Sequence, residues 1–140
     1  MILVVDASVA TKWFFAESGH RSARHLAQEE NVLIAPDLIV AEVCNTAWKK
    51  VARGEARVDQ ARELAIELPK VFRELVSCAA LVPQALDLAL EIRHPAYDCF
   101  YLALAELADA EFATADTGLA RKILKHGFRR ARLHLIGGNG

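Results

Sequence analysis

The chain opens MILVVDASV, residues 1–9, and the run from Ile2 to Val5 decides how it folds. A strand with one wet face alternates apolar and polar side chains, whereas Ile2, Leu3, Val4 and Val5 follow one another without a polar interruption. Such a run predicts a parallel strand covered on both faces, and Asp6 ends it. In open parallel sheets ligands settle beyond the carboxyl ends of the strands, near the point where strand order reverses, so an acid in this place is a candidate site residue.

Strand and helix patterns alternate through the rest of the chain. Residues 8–15 read as a helix and residues 18–30 as a second, with Ala23, Leu26 and Ala27 on one face. A second apolar strand at residues 32–35 is stopped by Pro36. A long helix is predicted over residues 37–53, its stripe formed by Ile39, Val40, Val43, Cys44, Ala47, Trp48 and Val51, with Gly54 in the stop position. Asp59 is placed to cap a helix carrying Ala61, Leu64, Ala65 and Leu68, which Pro69 bends or ends. A short strand near residues 75–78 precedes helices over 80–92 and 97–107, separated at Pro95. Residues 111–115 read as a strand, 117–125 as a helix stopped by Gly127, and 132–136 as a last strand before a glycine-rich tail. This order predicts the α/β class, with a mostly parallel sheet, helices on both of its faces and right-handed crossovers.

A chain of 140 residues is expected to form one domain, residues 1–140, that buries roughly 70% of the surface exposed when unfolded. Hydrophobic residues make up 54% and charged residues 25%, which excludes a disordered or fibrous chain. The first dozen residues lack a basic leader and contain Asp6 and Lys12, so neither a signal peptide nor a membrane span is predicted and a cytoplasmic location is expected. Cys44, Cys78 and Cys99 are odd in number, lack CxxC spacing and sit among apolar neighbours, as reduced core thiols do. Net charge is −1, unevenly spread: residues 117–140 carry six basic residues and no acid, leaving 11 basic and 18 acidic residues, a net −7, upstream.

Four acids, Asp6, Glu42, Asp98 and Asp116, interrupt otherwise apolar stretches. Each has an ordinary structural reading. Asp6 and Asp116 follow strands and suit helix caps, Asp98 suits the positive end of a helix dipole, and Glu42 can share a solvent-facing edge with Asn45 and Lys49. Ser8 is open to two readings, a hydroxyl that holds a water or a helix cap, and Thr114 is a hydroxyl partner or an ordinary strand residue. Asn45 is a neighbour of Glu42 in either case. Gathered at one pole, the four carboxylates repel one another unless a cation neutralises them. Oxygen-only ligation points to Mg²⁺ or Mn²⁺, which activates water and stabilises the leaving oxygen of a phosphodiester displacement.

Four segments in order, MILVVDASV, LIVAEVCNTAW, HPAYDCFYLALAE and FATADTGLAR, resemble the PIN-domain family, closest to the VapC-type toxin ribonucleases of toxin–antitoxin pairs. The resemblance spans nearly the whole chain. It implies a three-layer α/β/α sandwich with a short, mostly parallel sheet, and an acid cluster matching Asp6, Glu42, Asp98 and Asp116, which are both the catalytic and the metal-binding candidates. Ser8, Asn45 and Thr114 match supporting polar positions. The implied activity is Mg²⁺- or Mn²⁺-dependent endonucleolytic cleavage of RNA, by a homodimer inhibited by a small antitoxin.

Arg121, Lys122, Lys125, Arg129 and Arg130 are candidates for RNA backbone contacts beside the acidic mouth, set against a solvated face of the last helix. The five histidines, with only His94 near a site motif, read as structural or exposed. Trp13, Phe14, Phe15, Trp48, Phe100 and Tyr101 read as core or dimer packing rather than as base-stacking platforms. Two other functions compete. A receiver or haloacid-dehalogenase-like phosphatase also places Asp at a strand end, but Asp6-Ala7-Ser8 lacks the second acid of a DxD motif and no lone lysine follows a late strand. A non-catalytic module that only binds RNA or a partner has no need of all four acids.

Overall fold

The computed structural model of the protein describes residues 1–137. Five strands, β1 (Ile2–Val5), β2 (Val32–Pro36), β3 (Glu74–Val76), β4 (Glu111–Thr114) and β5 (Leu133–Leu135), form one sheet in the order β3-β2-β1-β4-β5. Every neighbouring pair runs parallel. The helices are α1 (Ala7–Ala10), α2 (His20–Gln28), α3 (Leu38–Ala52), α4 (Val58–Val71), α5 (Val82–Ile92), α6 (Ala96–Leu107) and α7 (Thr117–His126).

β1 lies at the centre of the sheet, and its Leu3, Val4 and Val5 are all fully buried. Successive strand residues point to opposite faces, so both faces of β1 are covered, and the same holds for Phe112, Ala113 and Thr114 of β4. The expected three-layer α/β/α arrangement follows. α6 is the most deeply buried helix: Cys99 and the five residues from Tyr101 to Ala105 are buried, and it packs on β1, β2 and β4. Removing a leucine or phenylalanine side chain of this kind from water stabilises the fold by about 1.5–3 kcal/mol.

Several boundaries differ from the expected ones, each for a local reason. α1 stops at Ala10 and the chain tightens into a 3₁₀ turn, Thr11–Trp13, where Trp13 Nε1 donates to the Ala23 carbonyl and draws α2 alongside. α2 starts only at His20, after Gly19. Pro36 is the last residue of β2, opposite Val76, rather than its stop. Asp59 is not the cap of α4. Arg57 holds that place, its N–H donating to the Gln60 side chain, while exposed Asp59 accepts from Arg57. α4 runs two residues past Pro69, which removes one hydrogen bond close to the end of the helix without ending it there. β3 ends before Ser77, which caps a 3₁₀ turn, Cys78–Ala80, and so α5 starts at Val82. α7 ends on Gly127, whose φ of 113° is the left-handed conformation that glycine adopts without penalty. The glycine-rich tail lies, from residue 138 on, outside the described residues.

The three cysteines are free, Cys99 buried and Cys78 half-buried, with burial pushing both thiols up to about 11. Cys44 departs from the core reading. It is exposed on α3, because the buried face of that helix runs through Ile39, Val43 and Ala47. Among the described residues no helix is long and apolar enough to cross a membrane.

Starting from β1, the chain adds β2 and β3 on one side and β4 and β5 on the other. The order therefore reverses between β1 and β4, and the Asp6 N–H donates to the Ala113 carbonyl at 3.1 Å across that seam. A crevice opens there, beyond the strands' carboxyl ends.

Candidate active site

Asp6 leaves β1 in an extended conformation and caps α1. Its Oδ1 accepts from Ser8 Oγ at 2.5 Å and from the Val9 N–H at 3.2 Å, and its Oδ2 accepts from Thr114 Oγ1. The carboxyl is only 4% exposed, and burial pushes it up to about 6 against the pull of these three hydrogen bonds, with the Asp98 charge adding to the rise. Ser8 does not cap a helix. Its Oγ also accepts from the Ala115 N–H at 2.9 Å, as Thr114 Oγ1 does from the Asp116 N–H at 3.1 Å. The two hydroxyls thus join the exit of β1 to the exit of β4 through Asp6.

Glu42 enters the crevice from α3 and is half-buried. Tyr101 Oη, from α6, donates to Glu42 Oε1 at 2.5 Å. Burial raises the Glu42 carboxyl above its ordinary range, opposed by the Tyr101 hydrogen bond and reinforced by the Asp98 charge. The same burial, with Glu42 alongside, drives the Tyr101 hydroxyl far above its usual value, so it stays a donor. Tyr101 is part of the core, as its apolar surroundings predict, yet its hydroxyl reaches the site. Asn45 stands exposed one turn after Glu42 and lines the same crevice without a hydrogen bond to Glu42 among the described residues; Thr46 Oγ1 instead donates to the Glu42 carbonyl.

Asp98 lies in the first turn of α6 and Asp116 caps α7, accepting from the Leu119 N–H at 3.0 Å. With Asp6 and Glu42 they line one open cleft of about 530 Å³. The structure thus brings the four acids, Ser8 and Asn45 to one place, with Thr114 buried beneath. His94 corrects the reading of the histidines as structural or exposed: its Nε2 lies 2.5 Å from Asp98 Oδ2, and one ligand-type atom each of His94, Asp98 and Asp116 fall within 4.8 Å of one another. Trp48, read as packing, is 65% exposed.

The basic residues of the C-terminal segment do not gather at this cleft. Lys122 Nζ donates to the Arg93 carbonyl at 3.0 Å and faces His94 Nδ1 at 3.2 Å. Lys125 is in the last turn of α7, and Arg129 and Arg130 precede β5, at the amino pole of the parallel sheet, the end away from the acids. Arg121 is exposed on α7 between these extremes. The cations that line the cleft are Lys12, Lys49 and Lys50, and Glu17 joins Lys12 at 3.5 Å and Lys50 at 2.8 Å. A signal for one of them was present in the sequence, since Lys49 shares the helix edge of Glu42 and Asn45.

Carboxylates from four separate elements facing one open cleft, with buried Asp6 and half-buried Glu42 both disfavouring their own charge, form a donor set that fits a hard divalent cation. Hydroxyl and amide oxygens nearby extend the same chemistry.

Comparison with known proteins agrees with this geometry. The PIN domain family model matches residues 3–123. Ribonuclease VapC3 of Pyrobaculum aerophilum is 36% identical over 124 residues, which cover 87% of this chain and 95% of that protein. Among solved structures, the sarcin-ricin loop cleaving toxin VapC20 of Mycobacterium tuberculosis aligns with a TM-score of 0.66 at 19% identity, covering 91% of this chain and 96% of its own. VapBC2 of Rickettsia felis, bound to a DNA fragment from its promoter, aligns with a TM-score of 0.62 at 13% identity over 96% of this chain and 97% of its own. FitAcB of Neisseria gonorrhoeae aligns with a TM-score of 0.59 at 19% identity, over 98% and 97% respectively. At such identities the structures speak to the fold, and the family match with the VapC3 relative speaks to kinship: the chain belongs to the PIN-domain family, in its VapC-type branch.

Proposed function

We propose that residues 1–140 form one PIN-like nuclease domain, a divalent-cation-dependent endoribonuclease that serves as the toxin of a toxin–antitoxin pair. The observation that carries this reading is the convergence of Asp6, Glu42, Asp98 and Asp116 at the β1–β4 reversal, in a cleft open to a polymer. Kinship with Ribonuclease VapC3 supports RNA as the substrate. The likeness to VapBC2 and FitAcB supports an antitoxin partner.

The four acids would hold Mg²⁺, or Mn²⁺ in its place. When bound, such a cation supplies Lewis-acid chemistry, lowering the pKa of a water and neutralising charge on a phosphodiester. The protein's own contribution is placement. Ser8, Thr114 and the Val9 N–H leave the Asp6 carboxylate one orientation, and Tyr101 does the same for Glu42. Exposed Lys49 places positive charge on the rim, where an RNA backbone would pass, while Lys12 and Lys50 lie further in, paired with Glu17. No protein nucleophile is needed.

Two apolar surfaces support the two protein contacts that this reading entails, a second copy and an antitoxin. Trp48, Val58 and Ile66 are exposed on α3 and α4, and Val82, Leu86 and Leu90 recur every four residues along α5.

The test is cleavage of RNA by purified protein free of its partner, in Mg²⁺ or Mn²⁺, beside Asp6→Asn and Asp98→Asn. Loss of cleavage in both variants is expected. Equal cleavage by all three proteins would sink the assignment.

A further inference from the structure

We infer that His94 is a positioning residue for this site: held in one tautomer by Lys122, its imidazole fixes the Asp98 carboxylate and is not itself a cation ligand. The inference rests on the reading of the acid cluster as a cation site. His94 Nε2 lies 2.5 Å from Asp98 Oδ2 and Nδ1 lies 3.2 Å from Lys122 Nζ, with the imidazole side chain 11% exposed. An ammonium group has only donors and a carboxylate only acceptors. Nδ1 must therefore present its lone pair to Lys122, and the ring hydrogen must sit on Nε2, aimed at Asp98. A hydrogen on Nδ1 would oppose two donors.

Lys122 is itself fixed. Its Nζ donates to the Arg93 carbonyl at 3.0 Å, and Arg93 ends α5 in the left-handed conformation, φ 55°. The carboxyl end of α5, the approach to α6 and the middle of α7 thus meet at one imidazole, and α6 carries Asp98. This placement removes His94 from the ligand set although its nitrogen lies within 4.8 Å of ligand-type atoms of Asp98 and Asp116. A nitrogen ligand needs a free lone pair. Here the one lone pair faces an ammonium, where a second cation is repelled, and the other nitrogen carries the hydrogen given to Asp98. What remains is orientation: with Oδ2 engaged, the Asp98 carboxylate cannot rotate freely about its last bond, and a cation meets a prearranged ligand.

Titration of the purified protein with Mn²⁺ alone, following the free ion by electron paramagnetic resonance, tests this. His94→Ala should weaken Mn²⁺ binding by about tenfold or more, the usual effect of removing a hydrogen bond behind a metal ligand. His94→Gln, whose amide N–H stands near the place of Nε2–H, should recover most of that loss. Lys122→Met removes a nearby positive charge in either background, but its effect on binding should be more unfavourable in the wild-type than in the His94→Gln background, because an amide has no tautomer to set. Lys122 is exposed, so this arm stays informative if His94→Ala does not fold. Pulsed resonance of the bound ion should show no imidazole nitrogen coupling. Such a coupling, or unchanged Mn²⁺ affinity in folded His94→Ala, overturns the inference. Absence of Mn²⁺ binding by the wild-type protein overturns the cation site itself, and so separates the two failures.

Discussion

Tyr101 Oη donates to Glu42 Oε1 across 2.5 Å and ties α6 to α3. The phenol is buried to 1% exposure while the carboxylate is half-buried, so the bond is made at the boundary between core and solvent. Core packing positions the ring, and the ring positions the acid.

Tyr101→Phe keeps the ring and removes the donor. Because the Tyr101 bond opposes the rise of the Glu42 carboxyl, its loss should raise that carboxyl further and leave the side chain free to turn. We expect stability to fall by about 1.5–3 kcal/mol, as for a hydrogen bond to a charged group, and RNA cleavage by about tenfold or more. Urea denaturation and initial cleavage rates check this; a variant that cleaves at the wild-type rate would show that Glu42 needs no such support.

The contrast between Tyr101 and the acids explains what was legible in the sequence. Asp6 ends a run of apolar strand residues and Asp116 follows β4 by two residues, and such placement is local, so reading along the chain finds it. Tyr101 lies amid Leu102, Ala103 and Leu104 in a helix buried on most sides, where an aromatic residue reads as core, and it is core; only its hydroxyl partner, 59 residues away, makes it part of the site. His94 and Asp98 are four residues apart, but His94 stands before α6 begins and Pro95 separates the two, so no continuous helix readable in the sequence brings them together. The C-terminal basic residues are close together along the chain and are spread apart by the fold. The parallel topology sends α7 from the acid pole toward the opposite one and carries Arg129 and Arg130 with it. The cap position of α4 is Arg57, whose backbone N–H is met by the Gln60 side chain, while Asp59 is turned to the Arg57 guanidinium instead of to the helix.

Asp116 has two duties that substitution can separate. As the cap of α7 it accepts from the Leu119 N–H, a role that asparagine fills as well as aspartate and alanine does not. Asp116→Ala should therefore cost about 1 kcal/mol of stability and Asp116→Asn nearly nothing. Both should lose cleavage, because neither offers an anionic oxygen to a cation. Thermal denaturation beside the cleavage assay decides it, and an active, stable Asp116→Asn would reduce Asp116 to a cap.

Asp6 makes stability depend on pH in a defined direction. Its carboxyl rises from 3.8 to about 6 on folding. Below both values the folded and unfolded chains hold the proton alike; between them the unfolded chain releases it while the folded chain keeps it. In the cation-free protein stability should thus fall as pH rises through this window, by about 3 kcal/mol in all, and stay lowered above it. Asp6→Asn lacks this dependence, so the stability difference between variant and wild type should widen from about pH 4 to 6 and then level off. Saturating Mg²⁺ at neutral pH should restore wild-type stability and leave Asp6→Asn little changed. Urea titrations in chelator and in Mg²⁺ measure both; a difference that stays flat with pH refutes the buried-carboxyl account.

The path of RNA across the protein can be read from which lysines matter. Lys49 lines the cleft and is exposed, while Arg129 and Arg130 lie at the far pole. Each phosphate contact to single-stranded RNA releases condensed counterions, and its removal should flatten the salt dependence of binding by about 0.7 in the logarithmic slope. Lys49→Ala, in an Asp98→Asn background that prevents cleavage, should weaken RNA binding and flatten the slope by about one such step. Arg129→Ala and Arg130→Ala should leave both unchanged, since a strand seated at the acids does not reach the amino ends of β4 and β5 on the same track. Filter binding over a range of KCl concentrations reads the two sets side by side. If the arginine variants lose affinity and Lys49→Ala does not, the RNA crosses the end of α7 and the lysine rim of the cleft has another purpose.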